Sequence, residues 1–490
     1  MKKLIYILTL LALTSCNKFL DVKPESQIDK DELFTTEEGY KEALNGVYTF
    51  CSSQSLYGEN LTYGNLDILA QNYEFTDLSL RRIANFDYEY PAMVGFRNTV
   101  WANTYRAIAN CNYILENIDA RRSLFSGNNY QLIKGETLLL RAYLHFDMLR
   151  LFAPSYKSNP AARGIPYVTK VSTQSTPFST VAESVDKVIA ELNEAKALLK
   201  DVDPIVSGYQ VGYPSDLGSP EVNNPDLFMQ NRRHRMNYFT ACGELARAYL
   251  YKNDMANALV NTRIIINSNR FPWTAEADFF EQDVTKRDRI FYKELISAWY
   301  VNDNKGIRDR LIDIFSDKNP TYAPTSALID DIYERAQSGA DDWRYKQWYF
   351  RTTIESGSSE RSLLQKYISN TTPTPNRHPL VMPTLRLSEI YYIAAEASFD
   401  TNPTEAVEYF NALRRHRGIG EAVSAQITKE DFISKLVVDA RKEFYGESQI
   451  FYMYKRLNRA VKVSATINIP PSDRIFVLPL PTDEEAYRNN

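Results

Sequence analysis

The sequence predicts an all-α protein whose scaffold is a set of helical hairpins, with long irregular loops and minor β elements between them. Three observations support this fold class. Apolar residues recur at intervals of three and four in several long segments, which is typical of amphipathic helices. Two of these segments share one internal spacing of small residues. The stretches between them are rich in Asn, Ser, Pro, Gly and Tyr, as loops are.

The composition is that of an ordinary folded protein. The chain has 490 residues, with 57 basic and 61 acidic side chains, so its formal net charge is −4. Nucleic-acid-binding proteins usually carry a basic excess, so the charge argues against a nucleic-acid partner. Aromatic residues make up 13% of the chain and include 33 tyrosines. Such rings offer apolar faces, and tyrosine adds a polar tip.

The N-terminal segment predicts export and a lipid anchor. Two lysines precede the apolar run Leu4–Leu13. This run has the length of the apolar region of a secretory signal peptide, and it is shorter than the roughly 20 residues that span a bilayer. The sequence LTSC that ends at Cys16 resembles a bacterial lipobox. Cleavage would leave Cys16 as the first residue, with lipid on its sulfur and amine. We therefore expect a signal peptide over 1–15, a single domain over 16–490 without a transmembrane helix, and attachment to a membrane through acyl chains.

The first predicted helices follow from capping residues and periodicity. A helix is expected between Asp31 and Phe50, where Thr35 or Thr36 can cap its start. A second is expected over residues 134–152, because Ala153-Pro154 ends its apolar stripe. A third begins at Thr180, which forms a capping box with Glu183.

Two later segments predict tetratricopeptide-type hairpins. The spacing of twelve residues from Ala246 to Ala258 is repeated from Ala394 to Ala406, within similar apolar patterns. Small residues at these offsets let two helices cross closely. Generic helical hairpins are the alternative explanation, and both readings give an α-helical architecture.

The remaining stretches predict loops and a small amount of sheet. Long loops inside a compact protein usually carry function. The predicted loops are residues 51–100, 153–178, 203–238, 268–292, 316–326 and 352–383. Strand-like runs occur at Glu294–Val301 and Ile475–Leu480.

The common catalytic motifs are missing from the sequence. GxSxG, HExxH, GxGxxG and the P-loop do not occur, and the four histidines are not spaced as metal-ligand pairs. His145 lies on an apolar stripe and is expected in the core. Glu443 and Glu447 are predicted to form salt bridges with basic neighbours, namely Arg441, Lys442, Lys455 and Arg456. Three further cysteines are expected as buried apolar residues, namely Cys51, Cys111 and Cys242. We predict no catalytic residue, metal or cofactor.

Several sequence blocks resemble the SusD/RagB family of outer-membrane lipoproteins from Bacteroidetes-type bacteria, over nearly the whole chain. The most specific blocks follow the lipobox: Cys16–Asp21, Phe34–Tyr40 and Ala43–Tyr48. Later blocks are Leu140–Phe152, Leu385–Ile390, Ala395–Ala397, Arg441–Glu447, Lys455-Arg456 and Val477–Pro481. Ile450 and Met453 depart from residues that family members often carry, at positions that look structural.

The resemblance implies a scaffold of four repeat-type hairpins, surface display and binding without catalysis. It also implies a SusC-like TonB-dependent transporter as partner and loops of the non-repeat half as the ligand site. Sugars need flat aromatic faces and side chains that bond hydroxyls. By that resemblance the candidate ligand-binding residues are Asn72, Tyr73, Arg81, Tyr90, Trp273, Trp299, Tyr300 and Asn302. The competing interpretation is that such aromatic residues belong to the core.

The favoured function is therefore capture of oligosaccharides for a SusC-like transporter. Capture of peptides within the same fold is an alternative that the sequence does not separate from it. A purely structural repeat adaptor of the cell envelope would bind on its concave repeat face instead. An enzyme is the least supported class, because it would need a carboxylate pair in a cleft.

Overall fold

The computed structural model describes residues 33–216, 219, 221–302, 306–316, 320–354, 356–368 and 376–488. The predicted signal peptide and Cys16 lie outside the described residues. The helices of the first half are α1 (Glu37–Cys51), α2 (Asn65–Leu69), α3 (Leu78–Ala84), α4 (Pro91–Ile118), α5 (Asn129–Phe152), α6 (Val181–Leu199), α7 (Tyr238–Tyr251), α8 (Met255–Ser268) and α9 (Glu276–Phe279). Those of the second half are α10 (Ile307–Phe315), α11 (Ser326–Ile332), α12 (Trp343–Gln347), α13 (Leu387–Ser398), α14 (Pro403–Arg415), α15 (Lys429–Glu443), α16 (Gln449–Leu457), α17 (Asp473–Phe476) and α18 (Thr482–Arg488).

The strands form four separate antiparallel pairs. They are β1 (Arg163–Pro166) with β2 (Phe178–Thr180), β3 (Leu295–Tyr300) with β6 (Val381–Arg386), β4 (Tyr349–Thr352) with β5 (Arg361–Leu364), and β7 (Val461–Lys462) with β8 (Asn468–Ile469). The all-α prediction with minor β elements is therefore confirmed. The strand predicted at Glu294–Val301 is present as β3. The one predicted at Ile475–Leu480 is wrong, because α17 occupies its start and Pro479 and Pro481 lack the N–H groups that a ladder needs.

Local capping sets the start of the predicted helices. The Thr36 hydroxyl accepts a hydrogen bond from the Gly39 amide at 3.1 Å, so α1 begins at Glu37 rather than at Asp31. Gly39 is required there, because a Cβ would lie 1.6 Å from the carbonyl oxygen of Leu33. The capping box predicted between Thr180 and Glu183 opens α6.

The two predicted tetratricopeptide-type hairpins are α7–α8 and α13–α14, and they pack against each other. Ala246 and Ala258 from the first hairpin form a small apolar cluster with Ile393 and Ala397 from the second, together with Leu250. These small side chains let the helices approach closely. One larger apolar cluster runs from Phe34 to Leu480 and contains the three buried, unbonded cysteines Cys51, Cys111 and Cys242, as predicted.

His145 lies in the core, as expected. Its Nδ1 contacts the carbonyl oxygen of Arg141 at 2.9 Å, its Nε2 lies 2.9 Å from the amide nitrogen of Val168, and its ring stacks on Tyr167 with centroids 3.9 Å apart. Burial lowers the pKa of His145 to about 3. The imidazole is therefore neutral at physiological pH and serves packing.

Glu443 and Glu447 form buried ion pairs, but the predicted partners are wrong. Their actual partners are cations from distant parts of the chain. We call these seven residues the Glu443 cluster: Glu294, Arg344, Lys366, Arg386, Arg417, Glu443 and Glu447. The expected partners face other directions on α15 and α16, and they contact Asn72, Glu334, the carbonyl oxygen of Arg150 and Glu396 instead.

No helix within the described ranges is long and apolar enough to cross a lipid bilayer.

Candidate functional site

A groove of about 590 Å³ lies where three loop regions meet. We call it the α3 groove. Its lining comes from residues between 74 and 83, from Ala92 at the start of α4, from residues between 320 and 323, and from residues between 354 and 361. Its volume lies within the usual range of ligand sites.

Contacts between distant loops hold one wall of the α3 groove in place. The Glu74 carboxylate accepts hydrogen bonds from the backbone amide of Thr325 at 2.8 Å and from its hydroxyl at 2.5 Å. Tyr73 stacks on Tyr322 beneath the wall, with ring centroids 4.8 Å apart. The loop after α2 is therefore fixed to the loop that leads into α11.

The apolar floor comes from α3 and the residues around it. Phe75 is half-buried, and its ring packs edge-on against Tyr322 with centroids 5.7 Å apart. Leu80 and Ile83 add aliphatic surface from one side of α3. Asp77 caps this helix by accepting a hydrogen bond from the Leu80 amide at 2.9 Å.

The rim of the groove is polar. Glu74 and Asp77 supply carboxylate oxygens, and Thr76 and Ser79 supply hydroxyl groups. Arg361 enters from β5, and its guanidinium donates to the carbonyl oxygen of Ala323 at 3.1 Å. An apolar floor with a ring of donors and acceptors is suited to a ligand that has both kinds of surface, such as a sugar.

Three predicted site residues, Asn72, Tyr73 and Trp299, are buried and have protein groups as their partners. The amide of Asn72 donates to Asp67 at 2.9 Å and accepts from Arg441 at 3.1 Å. Tyr73 is 4% exposed, and its hydroxyl donates to the carbonyl oxygen of Tyr63. Trp299 is 2% exposed and stacks on Tyr57. Their contacts leave no ring face or amide for a ligand.

The other five predicted site residues reach the surface at separate places, and none of them lines the α3 groove. Arg81 lies on α3 and Tyr90 directly precedes α4, and the guanidinium of Arg82 covers the Tyr90 ring at 4.4 Å. Tyr300 is 50% exposed and stacks on His234, and Asn302 is exposed nearby in sequence. Trp273 is half-buried and stacks on His416 with centroids 4.5 Å apart. The structure does not bring these residues into one site.

The sequence prediction named none of the residues that line the groove. Phe75 and Asp77 stand two and four positions after the predicted Tyr73, and Asp77 three residues before Leu80 is a recognisable helix start. Arg361 comes from a hairpin far along the chain, and nothing in its sequence neighbourhood marks it. Within the described residues, no three or more His, Cys, Asp or Glu side chains are grouped so as to hold a metal ion.

Comparison with known proteins identifies similar chains. A family model described as "SusD family" matches residues 227–475, and one described as "Starch-binding associating with outer membrane" matches residues 18–206. SusD-like protein P2 of Formosa agariphila is 22% identical over 550 aligned positions, which cover 100% of this chain and 98% of the relative.

Solved structures share the fold. A SusD-like carbohydrate binding protein from Bacteroides vulgatus superposes with a TM-score of 0.72 at 18% identity, over 93% of this chain and 97% of the other. A SusD superfamily protein from Bacteroides thetaiotaomicron gives a TM-score of 0.70 at 21% identity, over 92% and 98%. The tetratricopeptide-type scaffold is therefore common to these chains.

Proposed function

The chain belongs to the SusD family, and from this premise we propose that it is a surface-exposed, lipid-anchored protein that captures oligosaccharides and delivers them to a SusC-like TonB-dependent transporter. The solved relative from Bacteroides vulgatus is described as carbohydrate-binding, which supports the ligand class. We propose a binding role without catalysis.

The observation that carries the proposal is the α3 groove, with a half-buried aromatic floor and a polar rim. Phe75 presents part of its ring beside Leu80 and Ile83. The C–H face of a pyranose can pack on such a surface, while its hydroxyl groups bond to the rim. A peptide would instead need exposed backbone donors and acceptors in an extended row.

We expect Phe75→Ala to weaken binding of the cognate oligosaccharide by about tenfold or more, because the aromatic contact is lost. Isothermal titration calorimetry of a lipid-free protein starting at Lys18 measures this, first against a panel of plant, host and microbial glycans and a mixed peptide pool. Thermal unfolding of the variant must be recorded as well, because Phe75 also packs on Tyr73 and Tyr322.

Phe350→Ala is the matched control, since Phe350 is 50% exposed on β4 and does not line the groove. Tyr300→Ala tests the separate aromatic surface formed with His234. If the folded Phe75 variant keeps its affinity for the oligosaccharide and the Tyr300 variant loses it, the ligand site lies at Tyr300 instead. Heat from peptides alone would support the peptide-binding alternative.

The lipid anchor is proposed at Cys16. We expect Cys16→Ser to release the protein from the outer-membrane fraction, because serine cannot carry the thioether-linked lipid and the mature chain would lack its acyl chains. Fractionation followed by immunoblotting measures the change, and Cys51→Ser is a control because Cys51 is buried in the core. Retention of the Cys16 variant in the membrane would contradict the anchor.

The transporter partnership rests on the family and on the outer-membrane description of the model that matches residues 18–206. Affinity purification from outer membranes should recover a TonB-dependent transporter in stoichiometric amount. Recovery of other envelope proteins without a transporter would favour the adaptor alternative, in which binding occurs on the repeat face.

A further inference from the structure

We propose that the α3 groove binds uncharged oligosaccharides in preference to those that carry uronate or sulfate groups. This inference rests on the proposed function, because it assigns the groove a class of glycan. Three features of the groove support it: the charges of its lining residues, the hydrogen bonds that hold its two carboxylates in place, and the positions of the neighbouring cations.

The described lining of the groove carries a net negative charge. Glu74 and Asp77 are both exposed carboxylates, and Arg361 is the one cation among the described lining residues. An anionic sugar would place its charge close to two like charges and one opposite charge. Like charges within a few ångströms repel, and the repulsion grows as the ligand displaces water.

Hydrogen bonds hold both carboxylates in place, and each carboxylate keeps one oxygen atom that can bind a ligand. The Oε2 atom of Glu74 takes both hydrogen bonds from Thr325, and the Oδ1 atom of Asp77 takes the hydrogen bond from the Leu80 amide. Their second oxygens have no hydrogen-bond partner among the described residues. Because an ionised carboxylate only accepts hydrogen bonds, these oxygens can bind sugar hydroxyl groups but not a uronate or sulfate oxygen.

The nearby cations that the structure describes do not offset this charge. Arg81 and Arg82 belong to α3 but do not line the groove. Arg82 pairs with Asp87 at 2.6 Å and covers Tyr90. Arg361 uses one of its guanidinium nitrogens on the Ala323 carbonyl. The helix therefore presents its acidic and apolar side to the groove and keeps its basic residues outside.

The double variant Glu74→Gln/Asp77→Asn tests the inference. Glutamine keeps an oxygen that can accept from Thr325, and asparagine caps a helix about as well as aspartate. The probes are pairs of oligosaccharides with one backbone, such as xylohexaose with and without a glucuronate branch, and galactan fragments with and without sulfate. For the backbone that binds, we expect the native protein to bind the uncharged member with a dissociation constant about tenfold lower than that of the charged member. In the double variant the ratio of the two dissociation constants should be close to one.

Asp201→Asn is the control, because Asp201 is an exposed carboxylate that does not line the groove, and it should leave the ratio unchanged. Added salt should reduce the preference of the native protein, since it screens exposed charges. Equal or tighter binding of the charged member by the native protein would overturn this inference and leave the proposed function standing. A complete lack of glycan binding would instead contradict the proposed function, and the inference with it.

Discussion

Replacing Glu443 by alanine is expected to lower the free energy of unfolding by about 3–5 kcal/mol, because it leaves buried cations without their counter-charge. The Glu443 carboxylate contacts three guanidinium groups: Arg344 at 2.7 Å, Arg417 at 2.8 Å and Arg386. All four side chains are at most 1% exposed. Water cannot replace the lost carboxylate without opening the core.

Urea-induced unfolding followed by circular dichroism measures this effect. Glu430→Ala is the matched control, because Glu430 lies on the same helix α15, is 78% exposed and pairs with Arg459 at the surface. We expect that control to change the free energy of unfolding by less than about 1 kcal/mol. Equal losses in the two variants would contradict the role assigned to the Glu443 cluster.

The effect of the Glu443 variant should depend on pH. Burial by itself raises the pKa of Glu443, but the charges of Arg417 and Arg386 outweigh it and hold the pKa well below its ordinary value. A carboxyl group whose pKa is lowered by folding stabilises the native state above its unfolded pKa, and this contribution is lost as the pH falls. The difference in the free energy of unfolding between the native protein and the variant should therefore be largest at neutral pH and become smaller below about pH 4.

Trp299→Ala is expected to destabilise the fold by about 3–5 kcal/mol rather than to remove a ligand contact. The indole of Trp299 is 2% exposed and stacks on Tyr57 with ring centroids 4.6 Å apart, and it contacts Tyr143 edge-on at 5.8 Å. An alanine would leave a cavity that these rings cannot fill.

Tyr300→Ala provides the comparison, because the next residue on β3 is 50% exposed. Its removal should change the free energy of unfolding by only about 1 kcal/mol, because its ring is half-exposed and stacks on His234. Denaturant unfolding of the two variants measures the difference. A Trp299 variant that unfolds like the native protein but no longer binds glycan would return Trp299 to the ligand site.

Trp299 and Tyr300 are neighbours on β3, but the sequence does not show which of them is buried. β3 is buried at every position except Tyr300, because β6 pairs with it and other elements cover its faces. A strand that is buried on both faces lacks the alternation that would mark its exposed side. The sequence therefore pointed to both aromatic residues equally, and only the packing of the folded chain distinguished them.

The ion pairs of the Glu443 cluster also depend on tertiary structure. The sequence predicted that Glu443 would pair with cations, because basic residues stand close to it along the chain. It suggested neighbours on the same stretch, but the cations come from α12, β6 and the turn after α14. Ion pairs across such distances along the chain depend on tertiary structure.

The sequence by itself determined the helical class, the cap at Thr180, a first cap at either Thr35 or Thr36, the two hairpins α7–α8 and α13–α14, and the family. These features depend on residues within about one or two helical turns of each other, or on blocks that keep their order along the chain. The tertiary structure alone decided which aromatic residues face solvent and which loops form the α3 groove. The groove joins Glu74 to Thr325 and Asp77 to Arg361, pairs more than 250 positions apart, and such contacts are set by packing of the whole chain.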